Sequence, residues 1–345
     1  MKWAGRSALV VLSVLSVLAV AEGLLRFVGA ARFGLQTWHA GSLYRPDPDL
    51  IFALRPSVRH RWSSAEFTEE ASINRLGLRS GALLEPGTRP RILVLGDSQA
   101  YGHGVADDAP YPQRLQALFK ARGEAVEVIN AGMQGYSSDQ SYKLFAKRLR
   151  KLKPDLVIFA HYWNDIPENV SHALYVIEDG KLAELDATGH PLYRMGRVHE
   201  MLPAWILELR LMRVFFAAMI GTEDEWLDAS NYESRPVRWG RRKLFLQLRD
   251  LERMAREDGF ALLLLTVPYR DGAVDYYRYL QRPLEGSGIS VLDAQSHPQW
   301  KRAEARLFYR EDDHLTELGH HRLARQLHGF IREEEFLPRA GSPAP

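Results

Sequence analysis

The chain has 345 residues, of which 46% are apolar and 26% charged, the composition of a globular protein with one large or two ordinary domains. Its 45 basic and 43 acidic side chains leave a formal net charge of +2, too small a basic excess to indicate a nucleic-acid partner. The absence of cysteine excludes disulfides, thiolate catalysis and cysteine-ligated zinc.

Residues 1–30 predict export. Lys2 and Arg6 precede a mostly apolar run from Ser7 to Leu25. The preferred interpretation is an uncleaved signal anchor, a transmembrane helix of about 20 residues with a cytoplasmic N-terminus. The alternative is a signal peptide cleaved near Ala21, because the sequence there has the small-x-small form of a cleavage site. Either way we expect the rest of the chain to be exported. An uncleaved anchor would contact the membrane and leave the rest periplasmic or at the cell surface, whereas cleavage would leave it secreted.

The rest of the chain divides by composition. Residues 31–90 contain prolines at 46, 48, 56, 86 and 90 and short strand-like pieces, which predict an irregular, β-rich lead-in packed on the main domain. Residues 91–335 alternate strands and helices, except for an insertion at about 166–238. Residues 336–345 are rich in Pro, Gly and Ser and predict a disordered tail.

Five short apolar runs in the main domain predict buried strands, and amphipathic helical patterns lie between them. Such alternation is typical of a right-handed parallel α/β sheet covered on both faces. The predicted strands are Arg91 to Leu95, Glu127 to Asn130, Leu156 to Ala160, Phe260 to Val267 and Ile289 to Asp293.

Helical spacing predicts further elements, and the basic residues of the second helix are expected to face solvent. The predicted helices are Tyr111 to Arg122, Asp139 to Leu152, Arg241 to Glu257, a segment around Asp275 to Gln281, and a last helix through Ile331. Within the insertion, Asp179-Gly180 predicts a hairpin, and Pro203 to Ile220 predicts an apolar helix of a capping subdomain.

Small or polar residues follow four of the five predicted strands. Ser98 comes after the first strand, Gly135 after the second, Asn164 after the third and His314 after the fifth. Because the carboxyl ends of parallel strands lie at one edge of a sheet, we expect these residues to lie close together.

These residue types are typical of acyl transfer. A serine hydroxyl is a weak nucleophile until a neighbouring base takes its proton, and histidine titrates near neutral pH. A carboxylate beside the histidine fixes its tautomer. The backbone N–H groups of Ser98 and Gly135 and the amide of Asn164 could hold an oxyanion, each such donor contributing about 10²–10³ in rate.

Four ordered blocks resemble those of the SGNH (GDSL) hydrolase family: Gly96-Asp97-Ser98, the turn from Asn130 to Gly135, Asn164-Asp165, and an acidic residue shortly before His314. The resemblance covers roughly residues 91 to 333. It implies a flavodoxin-like, three-layer α/β/α fold with a five-stranded parallel sheet, and a Ser-His-Asp hydrolase that needs no metal or organic cofactor. It implies Ser98 as nucleophile, Gly135 and Asn164 as oxyanion donors, and His314 as base.

The sequence departs from the family pattern in two places. Tyr162 stands where the third block usually has glycine, which changes the expected shape of the pocket. The last block usually has aspartate three residues before its histidine, where this chain has Glu311. Asp312, two residues before, matches the spacing of SGNH-type proteins that act on acetylated polysaccharides. We therefore expect Asp312 to orient His314, with Asp313 and Glu311 as alternatives.

Other residues near the blocks have less specific interpretations. We expect His103, His161, His320 and His321 to be structural or to contact the catalytic residues without contacting the substrate. Tyr101, Trp163 and Tyr269 fall at the same edge of the sheet and are expected to line a substrate pocket. No dinucleotide loop, phosphate-binding loop, Gly-x-Ser-x-Gly elbow or His-Glu-x-x-His zinc motif is present.

The sequence therefore predicts a serine esterase that hydrolyses an O-acyl ester, above all an O-acetyl ester, of a small molecule, glycan or lipid. One alternative is an O-acyltransferase on an extracytoplasmic polysaccharide, because both reactions share the acyl-enzyme. The other is a catalytically silent binding module that keeps the fold, against which the intact Ser98, Asn164 and His314 argue.

Overall fold

The computed structural model describes residues 2–28, 43–207, 209–212, 214, 234–270, 277, 279–280, 284–301 and 306–337. Three predicted features lie partly or wholly outside these residues. They are the second half of the apolar helix in the insertion, most of the helix expected around Asp275, and the tail beyond residue 337.

Helix α1 spans Lys2–Val28, and many of its apolar side chains, Leu9 and Phe27 among them, are exposed. Within the part of the chain that the structure describes, no helix has the length and apolarity needed to cross a membrane. The expected transmembrane helix, and with it the membrane as a partner, is therefore not supported.

The lead-in consists of two antiparallel hairpins. Strands β1 (Tyr44–Asp47) and β2 (Ile51–Leu54) form the first, and β3 (Arg59–Ser63) and β4 (Thr68–Ser72) form the second. All four residues of β2 are buried against the main domain, where the Tyr136 hydroxyl donates to the Phe52 carbonyl at 2.8 Å.

A five-stranded parallel sheet forms the centre of the main domain and confirms the predicted α/β class. Its strands run in the order β6-β5-β7-β10-β11. The chain adds β6 on one side of β5 and then crosses over to add β7, β10 and β11 on the other side. They are β5 (Arg91–Gly96), β6 (Glu127–Gly132), β7 (Leu156–His161), β10 (Ala261–Thr266) and β11 (Ser290–Asp293).

Three of the strands are buried along their whole length because helices cover both faces of the sheet. Every residue of β5, β6 and β7 is buried, which explains the apolar runs Ile92 to Leu95 in β5 and Leu156 to Ala160 in β7. The helices are α2 (Ser98–Tyr101), α3 (Tyr111–Ala121), α4 (Ser138–Leu144), α5 (Asp165–Ser171), α6 (Pro191–Met201), α7 (Ala204–Leu207), α8 (Arg235–Asp258), α9 (Pro298–Lys301) and α10 (Glu317–Glu333). Helix α3 packs against α10, and α8 packs against α4 and α5.

The helix predicted from Asp139 to Leu152 is less regular than its pattern. Helix α4 continues as a π-helical turn from Phe145 to Leu149 and a 3₁₀ turn from Arg150 to Leu152. The expectation that its basic residues face solvent is wrong for Lys143, whose side chain is 1% exposed and whose Nζ lies 2.9 Å from Glu184.

The insertion begins with the expected hairpin. Strands β8 (Tyr175–Glu178) and β9 (Lys181–Glu184) pair antiparallel. Asp179 and Gly180, at the turn, have φ values of 48° and 77°, the left-handed conformation that a two-residue hairpin turn of this kind requires. Glu184 of β9 is the residue that covers Lys143, so the insertion packs on α4.

Candidate active site

Ser98 lies immediately beyond the carboxyl end of β5, at the first turn of α2. Asp97 caps that turn, since its carboxylate accepts the backbone N–H of Gln99 at 3.0 Å. A Cβ at Gly132 would lie 2.3 Å from the backbone nitrogen of Tyr101, so glycine is required there for β6 to end against α2. Ser98 is partly exposed, whereas residues 91–97 before it are buried.

Ser98, His314 and Asp312 form one hydrogen-bonded chain. The Oγ atom of Ser98 lies 2.7 Å from Nε2 of His314. The other ring nitrogen, Nδ1, is hydrogen-bonded to Oδ1 of Asp312, which also accepts the backbone N–H of His314 at 3.1 Å. Of the three acidic candidates, Asp312 is thus the one placed to orient the imidazole, and Asp313 instead contacts Arg270 at 2.5 Å.

Burial and neighbouring groups set the protonation states of His314 and Asp312. Burial lowers the pKa of His314 below its ordinary value, although the hydrogen bond to Asp312 opposes the effect. Burial alone would raise the pKa of Asp312, but the neighbouring imidazoles of His103 and His314 hold it far below its usual range. A neutral imidazole next to an ionised carboxylate is the state in which histidine accepts a proton from a serine hydroxyl.

The loop that carries His314 is tied to α2 by side chains from both segments. The Gln99 side chain accepts the backbone N–H of Leu315 at 3.3 Å and donates to the carbonyl of Asp313 at 3.4 Å. The Tyr309 hydroxyl donates to the carbonyl of Gly104 at 2.8 Å. These bonds hold the base and the nucleophile in a fixed relation.

Gly135 and Asn164 follow the two strands that flank β5, so both lie beyond the same edge of the sheet as Ser98. Gly135 has a φ of 72°, a left-handed conformation in which a side chain would be strained. Asn164 precedes α5, and its Nδ2 donates to the Glu168 carboxylate at 2.9 Å.

A protein-family model matches the part of the chain that contains Ser98, Gly135, Asn164, Asp312 and His314. The model of the GDSL-like lipase/acylhydrolase family matches residues 94–322, well over half of the chain. The chain belongs to this family. This GDSL protein is accordingly an ester-hydrolysing enzyme.

Several solved structures are similar to this enzyme. A putative lipolytic protein of the G-D-S-L family from Desulfitobacterium hafniense is 13% identical, with 70% of this chain and 99% of that one covered and a TM-score of 0.39. A lipase/acylhydrolase from Enterococcus faecalis is 16% identical (71% and 96% covered, TM-score 0.40). An acetylxylan esterase from Geobacillus stearothermophilus is also 16% identical (72% and 96% covered, TM-score 0.42). No match is found among curated proteins.

Two of the histidines expected to be structural are buried in the fold of the GDSL enzyme. His161 is fully buried and pairs with Asp165 at 2.7 Å, and Nδ1 of His320 accepts the backbone N–H of Tyr111 at 3.2 Å. Tyr101, by contrast, does not line a pocket as expected, because its ring is fully buried and its hydroxyl donates to Glu69 at 2.9 Å.

The lead-in contributes residues to this site that the sequence analysis missed. Glu66, Glu69 and Trp62 come from the β3–β4 hairpin and contact the segment around His314 or the adjacent His103. No local motif marks these residues, since their roles follow from the packing of the hairpin on a loop some 250 positions later.

His103, Asp312 and His314 form the one group of metal-ligand types within the described ranges, with ligand atoms inside 4.8 Å of one another. These atoms already contact one another or Ser98. The Asp312 carboxylate faces both imidazoles, and Nε2 of His314 is hydrogen-bonded to Ser98. The group is therefore explained as the triad with a neighbouring histidine.

Proposed function

We propose that this GDSL enzyme is a serine esterase that cleaves an O-acyl ester through an acyl-serine intermediate. The single observation that carries the proposal is the continuous chain from the Ser98 hydroxyl through His314 to the ionised Asp312. Those three groups are the nucleophile, the base and the orienting carboxylate that such a reaction needs.

In the first half-reaction, Oγ of Ser98 attacks the ester carbonyl while Nε2 of His314 takes the hydroxyl proton. The tetrahedral intermediate collapses as His314 returns that proton to the departing alcohol oxygen, which leaves an acyl-serine. In the second half-reaction, His314 takes a proton from water, the resulting nucleophile attacks the acyl carbon, and Ser98 leaves with the proton. Asp312 keeps the proton on Nδ1 and stabilises the imidazolium throughout.

The oxyanion of each tetrahedral intermediate would be held by the backbone N–H groups of Ser98 and Gly135 and by the Asn164 amide. The Asn164 side-chain amide has two N–H bonds. One donates to Glu168, which fixes the orientation of the amide, and the second remains for the oxyanion. Each such donor contributes about 10²–10³ in rate.

The natural substrate we propose is an O-acetyl ester of a glycan or lipid. The support is membership of an acylhydrolase family together with the acid spacing of Asp312 and His314, which matches SGNH-type proteins that act on acetylated polysaccharides. Acetate release from acetylated glycans and from lipid esters would separate the two classes. Acetyl transfer to an added glycan without free acetate would show a transferase instead.

We also propose an extracytoplasmic location. Its support is the basic residues Lys2 and Arg6 followed by the apolar run to Leu25. Cell fractionation with sequencing of the mature N-terminus tests it. Recovery of the full-length chain in the cytosolic fraction would contradict export.

The function is tested by hydrolysis of p-nitrophenyl acetate by the full-length protein beside its Ser98→Ala variant. We expect turnover by the wild type and a loss on the order of 10⁶-fold in the variant, with an unchanged melting temperature. A wild type that melts cooperatively and does not turn over any of a series of activated esters would contradict the esterase.

A further inference from the structure

His103 packs directly against the catalytic histidine. Its ring centroid lies 4.6 Å from that of His314, and the aromatic rings of Trp62 and Phe67 cover it, each at 5.2 Å. The His103 side chain is 13% exposed. An imidazole in this position interacts with the triad without reaching Ser98 through a hydrogen bond of its own.

Both ring nitrogens of His103 face a carboxylate. Nδ1 lies 3.0 Å from Oε2 of Glu69, and Nε2 lies 3.7 Å from Oδ2 of Asp312. Asp312 thus divides its two oxygens, with Oδ1 toward His314 and Oδ2 toward His103. Two carboxylates on opposite sides of one imidazole favour its doubly protonated, cationic form.

Glu69 is held as a buried anion by neutral donors. Its side chain is 1% exposed and accepts the Tyr101 hydroxyl at 2.9 Å and the backbone N–H of Gly104 at 3.0 Å. Within the described ranges, the ring of His103 is the one counter-charge in direct contact with this carboxylate. Burial of an anion is costly without such a partner.

The remaining polar groups around His103 come from three other segments. They are Gln134, whose amide nitrogen lies 2.5 Å from Nδ1, Tyr44, which is hydrogen-bonded to Gln134, and Arg79, whose charge acts on Glu69. The amide nitrogen of Gln134 also donates to Oε2 of Glu69 at 3.3 Å, and its amide oxygen accepts the Tyr44 hydroxyl.

We propose that Glu69 and His103 form a charged positioning pair behind Asp312, which holds this carboxylate toward His314 and keeps His314 neutral to lower pH than the triad alone would. The proposal rests on the triad function proposed above. Glu69 lies outside the residues that the family model matches, so the pair joins the lead-in to the family's catalytic domain.

The titration behaviour of the two histidines supports the pair. Burial alone would lower the pKa of His103, but its ion pairs with the Asp312 and Glu69 carboxylates outweigh burial and raise the pKa to about 9. After burial, the charge of His103 further lowers the pKa of His314, and it acts more strongly than the opposing charge of Glu69.

The test compares Glu69→Gln and His103→Gln in the full-length protein, with Glu70→Gln as the matched control. Glu70 lies next to Glu69 on β4, but its exposed carboxylate faces Arg61. The first readout is the pH dependence of fluorophosphonate labelling of Ser98, which needs the triad and no natural substrate. The second is ¹⁵N-histidine NMR of the wild type, with the His103 signal assigned from the His103→Gln spectrum.

We expect the acid limb of the labelling profile to move to higher pH in both variants and not in Glu70→Gln, with a several-fold loss of labelling at about pH 5.5. Glu69→Gln would act through His103, which becomes neutral without its partner carboxylate. The negative charge of Glu69 raises the pKa of His314. If Glu69 acted on His314 alone, its loss in Glu69→Gln would therefore shift the acid limb to lower pH. That outcome, or no shift in His103→Gln, would overturn the proposal.

The NMR readout separates this proposal from the esterase itself. We expect the wild-type His103 ring to stay cationic at about pH 7.5 and to titrate at lower pH in Glu69→Gln. A neutral His103 in the wild type at that pH would overturn the pair even if the enzyme is active. A cationic His103 in a protein that neither labels nor turns over would leave the pair standing and contradict the esterase.

Discussion

The carboxylate of Glu66, at the turn of the β3–β4 hairpin, accepts the backbone N–H of Asp312 at 3.0 Å. It also accepts the N–H groups of Arg310 at 2.7 Å and Glu311 at 2.9 Å, so one side chain fixes three consecutive residues of the catalytic loop. The lead-in is therefore part of the active-site architecture.

Replacing Glu66 should loosen that loop. We expect Glu66→Ala to lower kcat by about 10–100-fold through misplacement of Asp312, with a smaller loss in Glu66→Gln, which keeps one acceptor oxygen. Ester hydrolysis by the purified variants measures the effect. Arg61→Ala, on the same hairpin with an exposed side chain, serves as control, and equal losses in it and Glu66→Ala would mean that the hairpin acts only through stability.

Asp312 and Asp313 are adjacent carboxylates with different partners, which makes them a matched pair for mutation. We expect Asp312→Asn to lower kcat on the order of 10⁴-fold, because the amide no longer enforces the tautomer of His314 that accepts from Ser98. Asp313→Asn should stay within a few-fold, since its ion pair with Arg270 is exposed and contributes little. Steady-state kinetics of both variants checks this, and the reverse ranking would reassign the orienting acid.

The pH profile of the enzyme should reflect the buried base. His314 must be neutral to take the Ser98 proton, and burial lowers its pKa, so kcat/KM should fall as pH drops through a value below about 6.5, the ordinary pKa of histidine. Measurement of kcat/KM on p-nitrophenyl acetate between acid and neutral pH gives this limb directly. An inflection well above neutrality would show that another group controls the base.

A buried ion pair joins α8 to the first turn of α4. Lys243 and Asp139 are both 0% exposed and 2.5 Å apart, and Asp139 also accepts the backbone N–H of Leu174 at 2.8 Å. We expect Lys243→Met to lower the free energy of unfolding by about 3–5 kcal/mol, because it leaves a buried charge without its partner.

Removal of an exposed cation on the same helix provides the comparison. Arg253→Met breaks ion pairs with Asp250 and Glu257 at a side chain that is 51% exposed, and we expect a much smaller change, because exposed ion pairs contribute little to stability. Denaturant unfolding of both variants gives the two values. Similar values would show that the Lys243 pair is no more than another surface contact.

The sheet could be predicted because its strands are apolar runs with sharp ends. Arg91–Gly96 and Leu156–His161 are covered on both faces, so every position is apolar or paired, and the residues that follow them are the ones that carry chemistry. The choice of Asp312 over its neighbours was predicted from spacing, and the structure shows the contact with His314.

Contacts between distant segments could not be predicted in this way. Helical periodicity assigned Lys143 to solvent because it contains no information about β9, whose Glu184 covers it. Glu66 is 246 residues from Asp312 along the chain, and neither it nor Glu69 belongs to a motif. Such residues become visible only when the hairpin is seen to pack on the catalytic loop.

The most direct test of the central claim is to trap the acyl or phosphonyl enzyme and locate the adduct. The full-length protein is treated with a fluorophosphonate and digested, and the modified residue is identified by peptide mass spectrometry. Ser98 as nucleophile predicts one adduct on the peptide containing Ser98, lost in Ser98→Ala and strongly slowed in His314→Ala. An adduct on another residue, or undiminished labelling of Ser98→Ala, would contradict the account.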